Sequence, residues 1–362
     1  MNKKIAIYLL GMVFFSGCGG EGDEISSGNN SDTALVVAVA GDFVGSGTIS
    51  TIGVPSLETT LNVVDGVADI DPVIREVDGR IYIVNRSATS NITILDAETF
   101  ALVDQFSTGV GFNPQDVAVK DNSIYVVGLG VGEIRIFDAT DTAAAPRSVD
   151  LSGLDPVDGN PDCSSLLVAG DDLFVTCGLL VEFQANSPGL VVVLDTTNDT
   201  LAAEFSLGNP NPFGLLRATS STSELGGDLL ITTVPNFGDL SQGCLERINL
   251  DRTLGGCLVE NSELGGYAAS YGENSSGSVS LAITTGFGEA GPDGYVARYE
   301  AGTLTALITG TQSFDIASCP TGELAVAEAG QGLRIFGDDL TELTTTPISI
   351  GISPVQNGLI CL

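Results

Sequence analysis

The chain has 362 residues, with 46 Asp or Glu against 13 Lys or Arg, so its formal net charge is -33. This excess of acidic side chains excludes nucleic acid as a natural partner, because phosphate contacts need Lys and Arg. The chain contains no His and no Trp, which excludes a Ser-His-Asp triad, a His-ligated haem and the usual catalytic zinc sites.

The N-terminus predicts a lipoprotein signal peptide over residues 1–17. Lys3 and Lys4 precede an apolar run over residues 5–15, which is shorter than the roughly 20 apolar residues that span a bilayer. The segment 15–18, Phe-Ser-Gly-Cys, resembles the bacterial lipobox, a resemblance that implies cleavage before Cys18 and acylation of that residue. An ordinary signal peptide with an incidental Cys is the alternative.

Residues 18–33 are nearly free of apolar side chains, and we therefore expect a flexible tether. By resemblance to the sorting rules of Gram-negative lipoproteins, Gly19 implies the outer membrane rather than the inner one. The face of that membrane, periplasmic or extracellular, stays open.

Residues 34–362 repeat short runs of Val, Ile, Tyr and Phe bounded by Gly, Asn, Asp or Pro, which is typical of antiparallel strands. The unit recurs about every 45 residues, the length of a four-stranded propeller blade. Two kinds of marker return in most units: Asn-Pro at 113–114, 160–161 and 211–212, and apolar residues followed by Asp96, Asp138, Asp195 or Asp251.

These repeats predict an all-β, seven-bladed β-propeller. The C-terminal strand over 354–362 matches the first strand of a blade, and strands over 34–43, 46–56 and 58–64 match the other three. Joining both chain ends in one blade would remove the two exposed edges of an open array. Six or eight blades remain alternatives because blade five is degenerate. The six complete blades are expected at 71–108, 113–153, 160–208, 211–260, 265–310 and 313–351.

The segment 81–138 resembles the bacterial YVTN-type propeller repeat, through its Tyr-Val strand, its strand ending in apolar-Asp, and its Gly before Asn-Pro. The match is close over blades one to three and weaker elsewhere. The resemblance implies a cell-surface or periplasmic propeller. It implies no single activity, because propellers serve as scaffolds, binders and enzymes.

Six cysteines besides Cys18 predict three structural disulfides in an exported chain. Cys163 and Cys177 flank a predicted hairpin that turns near 170–171, and Cys244 and Cys257 flank another that turns near 250–251. Cys319 and Cys361 lie at equivalent positions of the first strands of blades six and seven, where a disulfide would clamp the last strand into the ring. A redox or thiolate metal site is the alternative. The predicted pairs are Cys163–Cys177, Cys244–Cys257 and Cys319–Cys361.

Oxygen side chains at one level of the predicted channel form a candidate cation site. Aligning the repeats brings Asp116, Asp315 and Asn357 together, with Ser165 and Gly214 at the same level. Six to eight converging oxygens suit Ca²⁺, and propeller lactonases of related shape hold a metal in this way. The alternative is that these side chains bond backbone amides at the strand starts.

Blade five contributes a candidate binding face through Tyr267, Tyr271, Phe287 and Tyr295, which would otherwise belong to the core. The tracts 237–243 and 286–294 are predicted to be long loops, where binding residues concentrate.

We therefore expect a monomeric, lipid-anchored binding module for a protein or glycan of the cell envelope, without catalysis. The alternative is a Ca²⁺-dependent, lactonase-like hydrolase that uses the channel site.

Overall fold

The computed structural model describes residues 32–86, 89–274, 277–288, 291–311 and 313–362. The predicted signal peptide, Cys18 and all but the last two residues of the tether lie outside these residues. No helix within the described ranges is long and apolar enough to cross a membrane. The described chain is nearly all β-structure, with a single turn of 3-10 helix over Ser152–Leu154 and a single α-helical turn, α1, over Asn261–Leu264.

The chain starts with three strands that belong to the blade completed at its C-terminus. Blades one to three follow, each a four-stranded antiparallel sheet, and blade three carries an inserted two-stranded hairpin, β14–β15. The strands are β1 (Ala34–Gly41), β2 (Gly47–Val54), β3 (Thr59–Thr60), β4 (Pro72–Val77), β5 (Arg80–Asn85), β6 (Asn91–Asp96), β7 (Leu102–Ser107), β8 (Pro114–Lys120), β9 (Ser123–Gly128), β10 (Glu133–Asp138), β11 (Arg147–Asp150), β12 (Cys163–Ala169), β13 (Asp172–Cys177), β14 (Leu180–Val181), β15 (Gln184–Ala185), β16 (Leu190–Asp195) and β17 (Thr200–Ser206).

Blades four and five are four-stranded, and blade six has three strands. The last strand, β29, pairs with β1 and so forms blade seven in the order β29-β1-β2-β3. The strands are β18 (Pro212–Ala218), β19 (Leu229–Thr233), β20 (Cys244–Asn249), β21 (Thr253–Glu260), β22 (Tyr267–Glu273), β23 (Val279–Gly288), β24 (Gly291–Glu300), β25 (Thr303–Thr311), β26 (Ser313–Ser318), β27 (Leu324–Glu328), β28 (Gly332–Phe336) and β29 (Pro354–Cys361).

The seven inner strands contact one another in a closed ring, in the order β4, β8, β12, β18, β22, β26 and β29. This arrangement confirms the predicted seven-bladed propeller and its closure by both chain ends. We call the face at which the inner strands begin the upper face. The connections between the second and third strands of each blade reach the same face, because successive strands are antiparallel.

Burial along each blade follows the position of the strand. In β5 the side chains of Ile81, Tyr82, Ile83 and Val84 are all buried, because both faces of the sheet pack on neighbouring blades. In β7, at the outer edge, most side chains are exposed. The runs of Val and Ile therefore mark second and third strands, while outer strands tolerate charge.

The recurring Asp markers begin tight turns after the third strand. Asp138 Oδ1 accepts hydrogen bonds from Thr140 N at 2.8 Å and Thr140 Oγ1 at 2.6 Å. Asp195 and Thr197 repeat the same geometry. These hydrogen bonds lower the pKa of both carboxyls. The marker is thus a turn that bonds its own backbone.

Two regions of the fold differ from the sequence prediction. In blade six the fourth strand is reduced to two isolated bridges, Leu333–Ile348 and Phe336–Glu342, in a segment where Pro347 has no amide hydrogen to donate. In blade five, β23 extends to Gly288 and β24 starts at Gly291, so the expected loop over 286–294 is the end of a strand hairpin. Residues 289–290 lie outside the described ranges.

All three predicted disulfides are present. Cys163 lies directly opposite Cys177 across β12 and β13. Cys319 and Cys361 join the lower ends of the inner strands of blades six and seven. Cys244 and Cys257 form the remaining disulfide, between β20 and β21. Two register shifts between β20 and β21 place Cys257 opposite Glu246, so the two cysteines pair diagonally rather than face to face.

Candidate functional site

The carboxylate of Asp116 joins three blades around the channel. Arg75 from blade one donates to both of its oxygens, at 2.8 and 2.7 Å. Ser165 Oγ and Leu166 N from blade three donate to Oδ2, each at 2.8 Å. The Ser165 hydroxyl in turn accepts from Leu216 N of blade four at 2.8 Å. Asp116 is fully buried, and its oxygens are therefore satisfied by guanidinium and backbone donors.

Asp315 plays the matching part between blades six and seven. Its Oδ2 accepts hydrogen bonds from Gly358 N at 2.8 Å and Leu359 N at 3.1 Å on the closing strand. Arg217 Nη2 lies 3.7 Å from Oδ1. Burial raises the pKa of Asp315, and Arg217 opposes that rise. The inner strands are thus held together by buried acids that bond the neighbouring blade.

The three predicted cation ligands have different surroundings. Asn357 lines a cleft on the upper face, whereas Asp116 and Asp315 bond arginines and amides within the ring. Within the described ranges, three side chains of metal-ligating type converge at Cys244, Cys257 and Glu260, where the sulfurs are already joined in a disulfide. The channel cation stays a prediction, and it has to displace a guanidinium from each carboxylate.

The four predicted aromatic residues separate into two pairs. Tyr271 is buried and donates its hydroxyl to Leu215 O at 2.7 Å, and burial raises its pKa. Tyr295 donates to Leu264 O at 2.8 Å and packs within the core of blades four and five. Both hydroxyls therefore have intramolecular partners.

Tyr267 and Phe287 belong to an aromatic cluster on the upper face. The ring of Phe237 packs edge-on against Phe213 at 5.0 Å, Tyr267 at 6.0 Å and Phe287 at 6.5 Å between centroids. Tyr267 is buried, and its burial raises its pKa to about 12. Phe237 and Phe287 are 43% and 59% exposed. The cluster therefore has a buried base and an apolar surface open to solvent.

A cleft of about 1160 Å³ opens beside this cluster, over the starts of the inner strands of blades two to four. Its walls are the β14–β15 hairpin of blade three and the connection over 235–243 in blade four. Its polar lining consists mainly of amides: Gln115, Gln184, Asn186, Asn209, Asn211, Asn236, Gln242, Gln356 and Asn357. Amides donate and accept hydrogen bonds, so the cleft suits a ligand with both kinds of group.

The blade-four wall, which includes the predicted loop over 237–243, is held by several hydrogen bonds. Asn261 Nδ2 donates to Gln242 O at 2.6 Å and to Thr233 O at 3.0 Å. Asn236 Oδ1 accepts from Gly238 N at 2.8 Å. These bonds fix the backbone on both sides of Phe237, so the aromatic ring is held in place before a ligand arrives.

Asp162 anchors the other wall. Its Oδ2 accepts a hydrogen bond from Leu180 N, the first residue of the β14–β15 hairpin, at 2.8 Å. Asp162 is only 9% exposed. Burial raises the pKa of Asp162 to about 6, with smaller contributions from the nearby carboxylates of Asp158 and Asp155, although the bond from Leu180 opposes the rise. The wall therefore rests on a carboxyl that titrates near neutral pH.

The tip of the β14–β15 hairpin has a backbone conformation that is unfavourable for its two residues. Glu182 and Phe183 both have positive φ, 52° and 60°, the conformation of a type I′ turn that favours Asn-Gly. Non-glycine residues rarely adopt this region, and Phe does so at a local cost in free energy. Phe183 is 80% exposed, so local packing does not explain its presence there.

This hairpin and Phe183 were not predicted from the sequence. One signal was available, because 12 residues separate β13 from β16 in blade three, whereas second and third strands in blades one and two lie closer together. An unusually long connection on the upper face marks an insertion, and insertions there line propeller clefts.

Several solved structures resemble this chain in overall fold. A streptogramin B lyase gives a TM-score of 0.54 over 77% of this chain and 83% of that chain, at 14% identity. A catalytically inactive variant of virginiamycin B lyase from Staphylococcus aureus, solved with quinupristin, gives 0.55 over 78% and 85%, at 11% identity. Kuenenia stuttgartiensis hydrazine synthase gives 0.56 over 72% and 74%, at 15% identity. At these identities the likeness shows the fold alone.

No protein-family model matches the chain, and no curated protein sequence matches it.

Proposed function

We propose that this chain is a lipid-anchored propeller of the YVTN-repeat type, which binds a protein or glycan of the cell envelope. Cys18 would carry the acyl anchor at the outer membrane. The observation that carries the proposal is the cleft on the upper face, because it combines a rigid aromatic wall with an amide-rich lining. Sites on rigid scaffolds with exposed aromatic groups are typical of recognition surfaces.

The side chains available in the cleft favour binding over catalysis. Among the residues that the structure describes, its charged lining is limited to Arg86, Asp162 and Glu260, and Arg86 is paired with Asp71 at 2.5 Å. We do not propose the lyase activity of the structurally similar virginiamycin B lyase for this chain. Its inactive variant has one histidine replaced by alanine, and this chain contains no histidine.

The position of the tether supports the same proposal. Asp32 accepts hydrogen bonds from Ser56 N at 2.9 Å and Ser56 Oγ at 2.8 Å, at the β2–β3 turn on the lower face. A tether that leaves from this face would direct the cleft away from the anchoring membrane. The cleft would then be open to a partner that is not embedded in that membrane.

Affinity capture from crosslinked cells tests the proposal. The bait is the intact acylated chain, and bound material is identified by mass spectrometry of peptides and glycans. We expect a reproducible partner that is lost when Phe237 is changed to Ser. Leu201→Ser is the matched control, because Leu201 is 46% exposed on β17 at the outer edge of blade three.

Capture that is equal for the wild type and the Phe237→Ser variant would contradict a role for the cleft. Recovery of background material alone would contradict the binding-module proposal itself. A chain that fractionates with soluble periplasmic proteins after export would contradict the lipid anchor.

A further inference from the structure

We infer that the cleft binds an extended, basic peptide segment of a partner protein, with one apolar side chain inserted against Phe237. This inference rests on the proposed binding function and narrows its partner from protein or glycan to a polypeptide of defined charge. Three independent features of the upper face carry it: an apolar rim, an acidic surround and an amide lining.

The apolar rim consists of Phe183, Phe237 and Phe287. Two of these side chains line the cleft, and the third packs against Phe237. All three are substantially exposed, at 80%, 43% and 59%. Exposed aromatic groups clustered on one face are the anatomy of a protein interface, where they act as anchors for binding.

Four of the connections around the cleft carry only negative charge, and Arg86, the cation that lines the cleft from blade one, is paired with Asp71. The tracts 151–162, 178–189, 207–216 and 235–243 contain no Lys or Arg. The acidic side chains within them are Asp155, Asp158, Asp162, Glu182 and Asp239. Lys or Arg side chains of a ligand in the cleft would be attracted by these carboxylates, and Asp or Glu side chains would be repelled. Charge complementarity therefore selects a basic segment.

The amide lining fits the backbone of an extended peptide. Each peptide unit presents one N–H and one C=O, and Asn and Gln side chains offer the complementary acceptor and donor. A glycan is less favoured, because the chain has no Trp and the two principal phenyl groups of the wall, Phe213 and Phe237, meet edge-on at 75° rather than as one flat stacking platform.

The strained hairpin tip provides a variant that separates binding from stability. Glu182→Asn together with Phe183→Gly gives the Asn-Gly sequence that a type I′ turn prefers. This double variant is expected to unfold at a temperature equal to or above that of the wild type. It removes one aromatic group and one carboxylate from the peptide site. Because the variant keeps its stability, weaker binding by it cannot be attributed to unfolding.

Phage display tests the inference. Peptides are selected from a random library of twelve-residue sequences against the full chain, which is immobilised through its N-terminus. We expect enriched peptides with an excess of Lys and Arg around one aromatic or aliphatic residue. A synthetic copy of the most enriched peptide should bind about tenfold more weakly to the hairpin variant and to Phe237→Ser. Its dissociation constant should rise several-fold between about 50 and 300 mM NaCl. Leu201→Ser should bind it like the wild type.

Several outcomes would overturn the inference. These are selection without enrichment, enrichment of acidic peptides, or equal binding by the wild type and the hairpin variant. Binding of an arrayed neutral oligosaccharide that is lost in Phe237→Ser would replace the peptide with a glycan and leave the proposed function intact. Failure of both this selection and the capture from cells would overturn the proposed function as well.

Discussion

Asp162 is a single residue on which the geometry of the cleft depends. Its carboxylate holds Leu180 N at 2.8 Å, yet burial raises its pKa from 3.8 to about 6. A carboxyl with a raised pKa binds its proton more tightly in the folded state than in the unfolded state. Its favourable contribution to stability is therefore present below the unfolded value and is lost as the pH rises through about 6.

Asp162→Asn should make stability less dependent on pH. Asn keeps a side-chain oxygen that can accept from Leu180 N but carries no charge, so the variant should melt at least about 2 °C above the wild type at pH 8. The free-energy difference has an upper limit of about 3 kcal/mol. At pH 4, where Asp162 is protonated, the two melting temperatures should converge.

Thermal unfolding followed by circular dichroism at both pH values checks this prediction, with Asp121→Asn as the control, because Asp121 is exposed. A melting difference that is the same at pH 4 and pH 8 would show that Asp162 does not titrate in this interval.

At the scale of the strand, closure of the ring depends on β29. This strand forms the inner edge of blade seven, pairs with β1, and donates hydrogen bonds from Gly358 N and Leu359 N to Asp315 of blade six. The disulfide between Cys319 and Cys361 ties it to blade six. Because a C-terminal strand without such a tie frays readily, the bond is expected to protect blade seven against local opening.

Replacing Cys319 and Cys361 together by Ala should destabilise the fold by about 2–4 kcal/mol, because the bond closes a long loop in the unfolded chain. Hydrogen exchange should become faster in β29 and β1, since these strands lose their tie to blade six. Urea unfolding and exchange mass spectrometry provide the two measurements. Removing the bond between Cys163 and Cys177 is the control, and equal acceleration of exchange in β29 by both variants would argue against a closing role.

The sequence was sufficient for most strands, because inner and middle strands are buried on both faces and read as runs of Val, Ile and Tyr. It was also sufficient for closure, since the C-terminal strand matches a first strand and the N-terminal ones match the other three. The β14–β15 hairpin was not predicted because each of its strands has two residues, too few for an alternating pattern. The strand ends at 286–294 were predicted to be a loop because their glycines are more typical of loops.

The candidate site was harder to predict for a physical reason. Propeller clefts are built from connections of different blades, and their side chains meet only after the ring closes. Repeat alignment correctly placed Asp116 and Ser165 at one level, where they contact each other at 2.8 Å. It does not report the arginines that these acids meet, Arg75 at Asp116 and Arg217 at Asp315, so the sequence alone did not show that a cation at this level competes with a guanidinium.

At the scale of the whole molecule, the excess of 46 acidic over 13 basic residues opposes folding through repulsion. The described arginines mostly contact acids already, as Arg252 does with Asp172 at 2.8 Å, so few free cations offset the remaining carboxylates. Salt screens repulsion between exposed charges over about 10 Å at 0.1 M. The melting temperature should therefore rise as NaCl increases from about 10 to 150 mM.

Differential scanning calorimetry in NaCl and in choline chloride at equal ionic strength measures this effect. Equal rises indicate screening of the acidic surface, because choline is too large to occupy a carboxylate cation site. A melting temperature that falls with salt would mean that the surface ion pairs outweigh the repulsion, contrary to the expectation. CaCl₂ at matched ionic strength separates screening from the channel-cation hypothesis, since an additional rise that disappears in Asp116→Asn requires Ca²⁺ to bind within the ring.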